Sequence, residues 1–182
     1  SDINKTVYEG STPSQKIIKL DVREKATGEI SAGAGVGSDG TTFMFAVKEN
    51  NWLGRGISLD TSVSVSAEKF LGRLAVVDPN YKFSGNKLFS TLSLGSTDTE
   101  ATTGFKSTKT GVSVGTQFEQ YENIYLAPGI SVSREEITTA STASTSVKSM
   151  AGTFTNLDFN YSIVSDQRNQ TYGTTDGYKM QF

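Results

Sequence analysis

Hydrophobicity in this chain alternates at period two along nearly its whole length. From Ile124 to Ser133, the residues Ile124, Leu126, Ile130 and Val132 take one parity, and Tyr125, Ala127, Gly129, Ser131 and Ser133 take the other. Such alternation describes a strand with one apolar face. Strands are predicted at about 27–37, 41–50, 57–66, 70–78, 87–96, 107–118, 124–134 and 151–165, with another beginning near 178. Their apolar sides are Ile30/Ala32/Ala34/Val36, Phe43/Phe45/Val47, Ile57/Leu59/Val63/Val65, Phe70/Leu74/Val76, Leu88/Leu92/Leu94, Val112/Val114/Phe118, Ile124/Leu126/Ile130/Val132 and Leu157/Phe159/Tyr161/Ile163. Each segment is close to the roughly 9–11 residues that carry a tilted strand across a bilayer.

The opposite faces argue where the apolar faces point. They read Glu29/Ser31/Gly33/Gly35, Ser58/Asp60/Ser62/Ser64, Ser113/Gly115/Gln117 and Asn156/Asp158/Asn160/Ser162. A soluble barrel or sandwich carries Lys and Glu on its outer face. Here the polar face is small and rich in hydroxyls, which suits a wet lumen, with the apolar face turned to lipid. A soluble β-sandwich or adhesin-like module is the competing class, and solubility without detergent would favour it. The mean hydropathy of −0.32 does not count against membrane insertion, because barrel strands hide half their residues from lipid.

The connections sort by end. Those after even-numbered barrel strands carry Trp52, Tyr81 with Phe83, Tyr121, and Tyr172 with Tyr178. Those after odd-numbered strands are Ser38-Asp39-Gly40, Ala67-Glu68-Lys69, a Thr-rich loop from Thr97 to Lys106, and a Ser/Thr/Ala loop from Glu135 to Ser149. In an up-and-down meander these sets lie at opposite ends. One end then has an interfacial aromatic girdle of Trp52, Tyr81, Phe83, Tyr121, Tyr172 and Tyr178, and the other has long polar loops.

Composition narrows the chemistry. With neither cysteine nor histidine, the chain lacks thiolate and imidazole metal ligands and the usual neutral-pH general base. No catalytic residue, metal site or cofactor is expected, and the chain is not expected to be an enzyme. A net charge of −2, with both signs spread along the chain, gives no footprint for nucleic acid. Gly35-Val36-Gly37-Ser38-Asp39-Gly40 matches a dinucleotide fingerprint in letters only, since Thr41 to Phe45 alternate as a strand where the fingerprint needs a helix. Ser38-Asp39-Gly40 reads as a hairpin turn. The acid pairs Glu135-Glu136 and Asp98/Glu100 read as solvated loop charge.

Residues up to about Pro13 read as a loop, followed by a strand in which Ile18, Leu20 and Val22 alternate with Lys19, Asp21 and Arg23. Its charged face sets it apart from the barrel strands. The expected organisation is residues 1–25 as the end of a neighbouring soluble domain and 26–182 as the barrel portion. No signal-peptide pattern opens the sequence and the last residues look like a strand cut short, so the chain reads as a segment of something longer.

The first barrel strand is loaded with glycine. Gly28, Gly33, Gly35 and Gly37 lower its stability, because glycine loses the most entropy on ordering and packs no side chain. Curvature that needs small residues is one reading, and a deliberately weak seam is the other.

Several segments together resemble the BamA outer-membrane assembly factors, also called the bacterial surface antigen family. They are Glu24-Lys25-Ala26-Thr27-Gly28 leading into the Gly-rich strand, Asn50-Asn51-Trp52-Leu53-Gly54-Arg55-Gly56, Asp78-Pro79-Asn80-Tyr81 with Ser84-Gly85-Asn86, and Tyr172-Gly173-Thr174-Thr175-Asp176-Gly177. The resemblance spans about residues 15–182. It implies an all-β, antiparallel up-and-down transmembrane barrel of which this chain holds roughly the first eight strands of sixteen, preceded by the end of the last periplasmic POTRA domain. It implies a bacterial outer-membrane location and a role in folding and inserting other β-barrels through a weak lateral seam. The seam strand is then Gly28, Glu29, Ile30, Ser31, Ala32, Gly33, Ala34, Gly35, Val36 and Gly37, acting through its backbone. The implied partners are unfolded outer-membrane client proteins, outer-membrane lipid and accessory assembly lipoproteins. Two alternatives remain open: a self-contained eight-stranded barrel, whose terminal aromatic alternation Tyr178, Met180 and Phe182 imitate, and a related translocator that secretes a partner protein.

Overall fold

A computed structural model describes residues 2–12, 14–23, 25–37, 40–170 and 172–182. Two sheets make up the chain. Strands β1 (Asp2–Glu9) and β2 (Lys16–Arg23) form an antiparallel hairpin, and a nine-stranded antiparallel sheet holds the rest. Its strands are β3 (Gly28–Gly37), β4 (Gly40–Trp52), β5 (Ile57–Val65), β6 (Lys69–Asp78), β7 (Lys87–Asp98), β8 (Phe105–Tyr121), β9 (Ile124–Thr139), β10 (Gly152–Asp166) and β11 (Lys179–Gln181). Every strand pairs with its neighbours in sequence, so the sheet is an uninterrupted up-and-down meander with β3 and β11 at its two edges.

The expected loop before Pro13 is instead strand β1, while Pro13 itself lies outside the described residues. Ile3, Val7 and Tyr8 supply its β-prone positions, and the partner register runs from Asp2↔Arg23 to Glu9↔Lys16. The other corrections concern length. Strands β8, β9 and β10 run 17, 16 and 15 residues, so the Thr-rich loop shrinks to 99–104 and the Ser/Thr/Ala loop begins only at 140. Threonine and isoleucine at these strand ends favour extended backbone even where the polar neighbours make the segment read as loop. Glu135 and Glu136 therefore sit in β9, opposite Lys109 and Thr108, and Asp98 closes β7. Within the shortened loop, α1 (Thr145–Lys148) forms a single turn whose Ser144 hydroxyl accepts from Val147 N at 3.3 Å.

The expected hairpin turn at Ser38-Asp39-Gly40 lies partly outside the described residues. Gly37 pairs with Gly40 across a two-residue connection, and Gly40 takes φ +83°, a conformation open to glycine at no steric cost. No helix follows the glycines here: β4 begins at Gly40 itself.

Register divides the sheet into two chemically distinct faces. One cross-strand row runs Ile30–Val47–Thr61–Leu74–Leu92–Val112–Val132–Leu157. The adjacent row on the other face runs Glu29–Lys48–Asp60–Ala75–Thr91–Ser113–Ser131–Asp158. Among the described residues, Ala75, at 8% exposure, is the one buried apolar side chain, whereas Val36 is 86% and Phe159 77% exposed. The sheet therefore has no interior core of its own, and its apolar face is its outer wall. No described helix is long and apolar enough to cross a membrane; any crossing belongs to the strands.

Pro128 interrupts this regularity in mid-sheet. The β8–β9 ladder passes from Gly115↔Gly129 to Phe118↔Leu126, skipping the rungs at Pro128 and Ala127, because proline has no N–H to give. On the far side Pro128 stays in register with Tyr161. Thr116, opposite the gap, turns its hydroxyl to the carbonyl of Lys87 at 2.9 Å.

Candidate functional site

Two features of the sheet carry functional information: its aromatic end and its free first strand. The meander brings the turns after β4, β6, β8 and β10 to one end, as the residue pattern predicts. Contacts between turns agree: Asp166 N donates to Asn123 O at 3.0 Å at that end. At the opposite end Asp98 N donates to Glu68 O at 2.7 Å and Ala140 N to Gly104 O at 2.9 Å. Trp52, Tyr81, Phe83, Tyr121, Tyr172 and Tyr178 share the first end, and all are exposed.

Trp52 and Tyr121 reach the apolar face by a device the alternation does not reveal. Each is the last residue of its strand, out of phase with the apolar positions before it. The β4–β5 register steps from Glu49↔Leu59 to Trp52↔Ile57, and the β8–β9 register from Glu119↔Tyr125 to Tyr121↔Ile124. Each step is a one-residue bulge, and each moves the aromatic onto the face of its partner, Ile57 or Ile124. A glutamate begins both irregularities: Glu49 Oε1 accepts from Asn51 N at 2.8 Å and Glu119 Oε1 from Asn123 N at 2.7 Å. Tyr81 and Phe83 belong to a 3₁₀ turn (Tyr81–Phe83) in which Lys82 and Phe83 take φ of 53° and 57°, a costly conformation for residues with a Cβ. Asn80 braces this turn by accepting from Gly85 N at 2.8 Å, and the Lys82 ammonium lies 5.2 Å from the Tyr81 ring centre.

All ten residues from Gly28 to Gly37 lie in β3, which pairs with β4 on one side and, among the described residues, has no partner on the other. Its row of N–H and C=O groups on that side is available to another strand. The four glycines are not equivalent. A Cβ on Gly28 would come within 2.8 Å of Glu49 Oε2, the end of a flexible side chain that would have to swing aside. Around Gly33, Gly35 and Gly37 no atom of the other described residues lies within 4 Å of a Cβ position.

The sequence reading missed the group that fixes the start of β3. The Thr27 hydroxyl donates to Glu49 Oε1, and Asn50 donates to Thr27 O through both its backbone N (3.3 Å) and its side-chain Nδ2 (3.1 Å). Asn51 Oδ1 in turn accepts from Gly56 N at 2.7 Å, closing the turn that carries Trp52. The phase break between Val47 and Trp52 is the sequence signal that a bulge, and hence a local polar network, stands there.

The polar face also departs from the uniform hydroxyl lining expected. Met44, Ala46 and Leu71 line an open hollow of about 610 Å³ behind β3–β7, with Arg73, Ser62 and Ser93 around it. No cluster of potential metal ligands occurs among the described residues.

An open antiparallel sheet with an apolar outer wall, a polar inner wall and aromatics at one end is part of an outer-membrane-type β-barrel. The Omp85 superfamily domain matches residues 51–182, and the chain belongs to that superfamily of outer-membrane protein insertion and translocation barrels. Its fold is similar to the crystal structure of BamA from Haemophilus ducreyi lacking POTRA domains 1–3, with a TM-score of 0.67 and 22% sequence identity. The match covers 99% of this chain and 38% of that one, so the chain corresponds to a portion of the BamA barrel and spans well under half the length of that protein.

Proposed function

We propose that this chain forms the first half of the barrel of an assembly factor that folds and inserts client β-barrel proteins into the bacterial outer membrane. The observation that carries the reading is β3, an edge strand with one bonded side and three glycines that no steric demand explains. In hydrocarbon an unpaired backbone group costs several kcal/mol, so an incoming client strand gains by pairing there. The energy comes from client folding, with no catalytic residue and no cofactor. Residues 1–25, with the β1–β2 hairpin, are the end of the last periplasmic POTRA domain in this reading. Partners are unfolded outer-membrane clients, the outer-membrane lipid against the apolar wall, and accessory lipoproteins.

The superfamily covers insertion and translocation alike, and the unobstructed glycine-rich edge is what favours insertion. A self-contained eight-stranded barrel would need β3 to pair with the last strands, yet β3 and β11 stand at opposite edges of the sheet with no ladder between them. The test is a disulfide in the complete protein between Ala34→Cys or Val36→Cys and a cysteine in its last strand. Locked protein is expected to lose client insertion and to regain it on reduction. Normal insertion with the seam fully crosslinked would sink the proposal, and loss of secretion of a soluble partner with insertion intact would point to the translocator.

A further inference from the structure

The β3–β4 hairpin is closed at both ends by different means. At the Gly37 end the two-residue connection to Gly40 closes it covalently. At the Gly28 end the strands would be free to splay, since β3 there has one neighbour and a glycine backbone. That end instead carries the Thr27–Glu49–Asn50 network. Thr27 offers a donor to Glu49 and an acceptor to Asn50, and the Glu49 carboxylate lies beside the Cα of Gly28, which has no side chain to displace it. Asn50 falls opposite Thr27 by continuing the β3–β4 register, one step beyond its last rung, Gly28↔Glu49.

We propose that Thr27, Glu49 and Asn50 are positioning residues that clamp the open end of the hairpin, so that the weak strand β3 stays on β4 while its outer edge opens. This deepens the assembly reading by naming what decides which of the two ladders of β3 breaks. A seam strand that came away from β4 would present no fixed row of bonding groups, whereas a strand held at both ends is a template of constant register. Gly33, Gly35 and Gly37 weaken the strand on both sides equally; the clamp makes the two sides unequal.

Amide hydrogen exchange on the full-length protein in lipid nanodiscs, with no client present, tests this. Thr27→Val and Glu49→Ala are expected to speed exchange in peptides covering 28–31 by roughly tenfold, since hydrogen bonds to a charged group are lost at a strand end. Peptides covering 40–44, next to the covalent turn, should change little, and Thr27→Ser, which keeps the hydroxyl, should restore slow exchange. Unchanged exchange at 28–31 in both variants, or equal acceleration throughout β3 and β4, would overturn the clamp. Client insertion is scored separately on the same preparations. A clamp response in a protein that inserts no client would sink the assembly reading alone; insertion in a protein without a clamp response would sink the clamp alone.

Discussion

Strand β3 and the β8–β9 hairpin both carry glycines on the polar face, but they use them in opposite ways. In the hairpin each glycine is roofed by a neighbour. A Cβ at Gly115 would fall 2.4 Å from the Phe89 ring and 2.9 Å from the carbonyl of Pro128, one at Gly129 would meet Asn160 Oδ1 at 2.6 Å, and one at Gly111 would meet Ser93 Oγ at 2.9 Å. There glycine makes room for a larger side chain from the next strand, and the pair packs as a unit. In β3 the space above Gly33, Gly35 and Gly37 is open. The same residue strengthens one seam of the sheet and weakens another, and only the neighbours distinguish the two.

That contrast makes a prediction of sign. Gly115→Ala forces the Phe89 ring or the Pro128 backbone to move and is expected to cost about 1–3 kcal/mol of barrel stability, the usual range for overpacking. A lowered urea midpoint, read by heat-modifiable gel migration of the complete protein, would register it; an unchanged midpoint would break the comparison. Gly129→Ala displaces only the end of the Asn160 side chain and should cost less, about 1 kcal/mol. Gly33→Ala and Gly35→Ala should do the reverse, each stabilising β3 by about 0.5–1 kcal/mol through the entropy of the unfolded chain. Slower exchange at β3 amides, together with reduced client insertion, is the expected result. If both alanines leave insertion untouched, the glycines serve curvature and not weakness.

The smallest expected effect lies beyond the apolar band, at the long-loop end. Asp98 stands four rungs past Leu94, where the Lys106 ammonium, 3.0 Å away, holds its carboxyl below the usual carboxylate range. A lowered folded pKa means the contact contributes above the unfolded value of 3.8 and is lost as pH falls through the lower folded one. A carboxyl titration by NMR should show that depressed midpoint, and Lys106→Met should return it toward the ordinary value. Both groups are exposed, so the Asp98→Asn barrel should unfold at nearly the same urea concentration as the parent.

The sidedness of the sheet was legible from alternation alone: every predicted apolar position from Ile30 to Ile163 falls on one face, because period two survives wherever one face is apolar and the other wet. Strand ends were not legible. Thr97, Lys106 and Glu135 are polar enough to read as loop, yet they pair in ladders that rise past the apolar band. The β1 strand was hidden for a similar reason, with Asn4, Lys5 and Thr6 interrupting its apolar positions. In the site, the composition of β3 pointed to a weak seam, but which glycines are crowded depends on Phe89, Asn160 and Glu49, which reach them across strands. The clamp needed Thr27 and Asn50 to be neighbours across 23 residues of sequence, a contact that register creates.

The two bulges also act as a waterline. Each gives its strand one residue more than the partner strand ahead of an aromatic ring, so the side of the wall on which Trp52 or Tyr121 lies depends on a count of one. Deleting Asn50 or Gln120 would swing the ring from the apolar face of the sheet to the polar one. The draught at which the barrel floats is therefore written in spacing rather than in residue type. Insertions and deletions at these two places should be tolerated only in pairs, whereas the loops at the far end can lengthen or shorten freely.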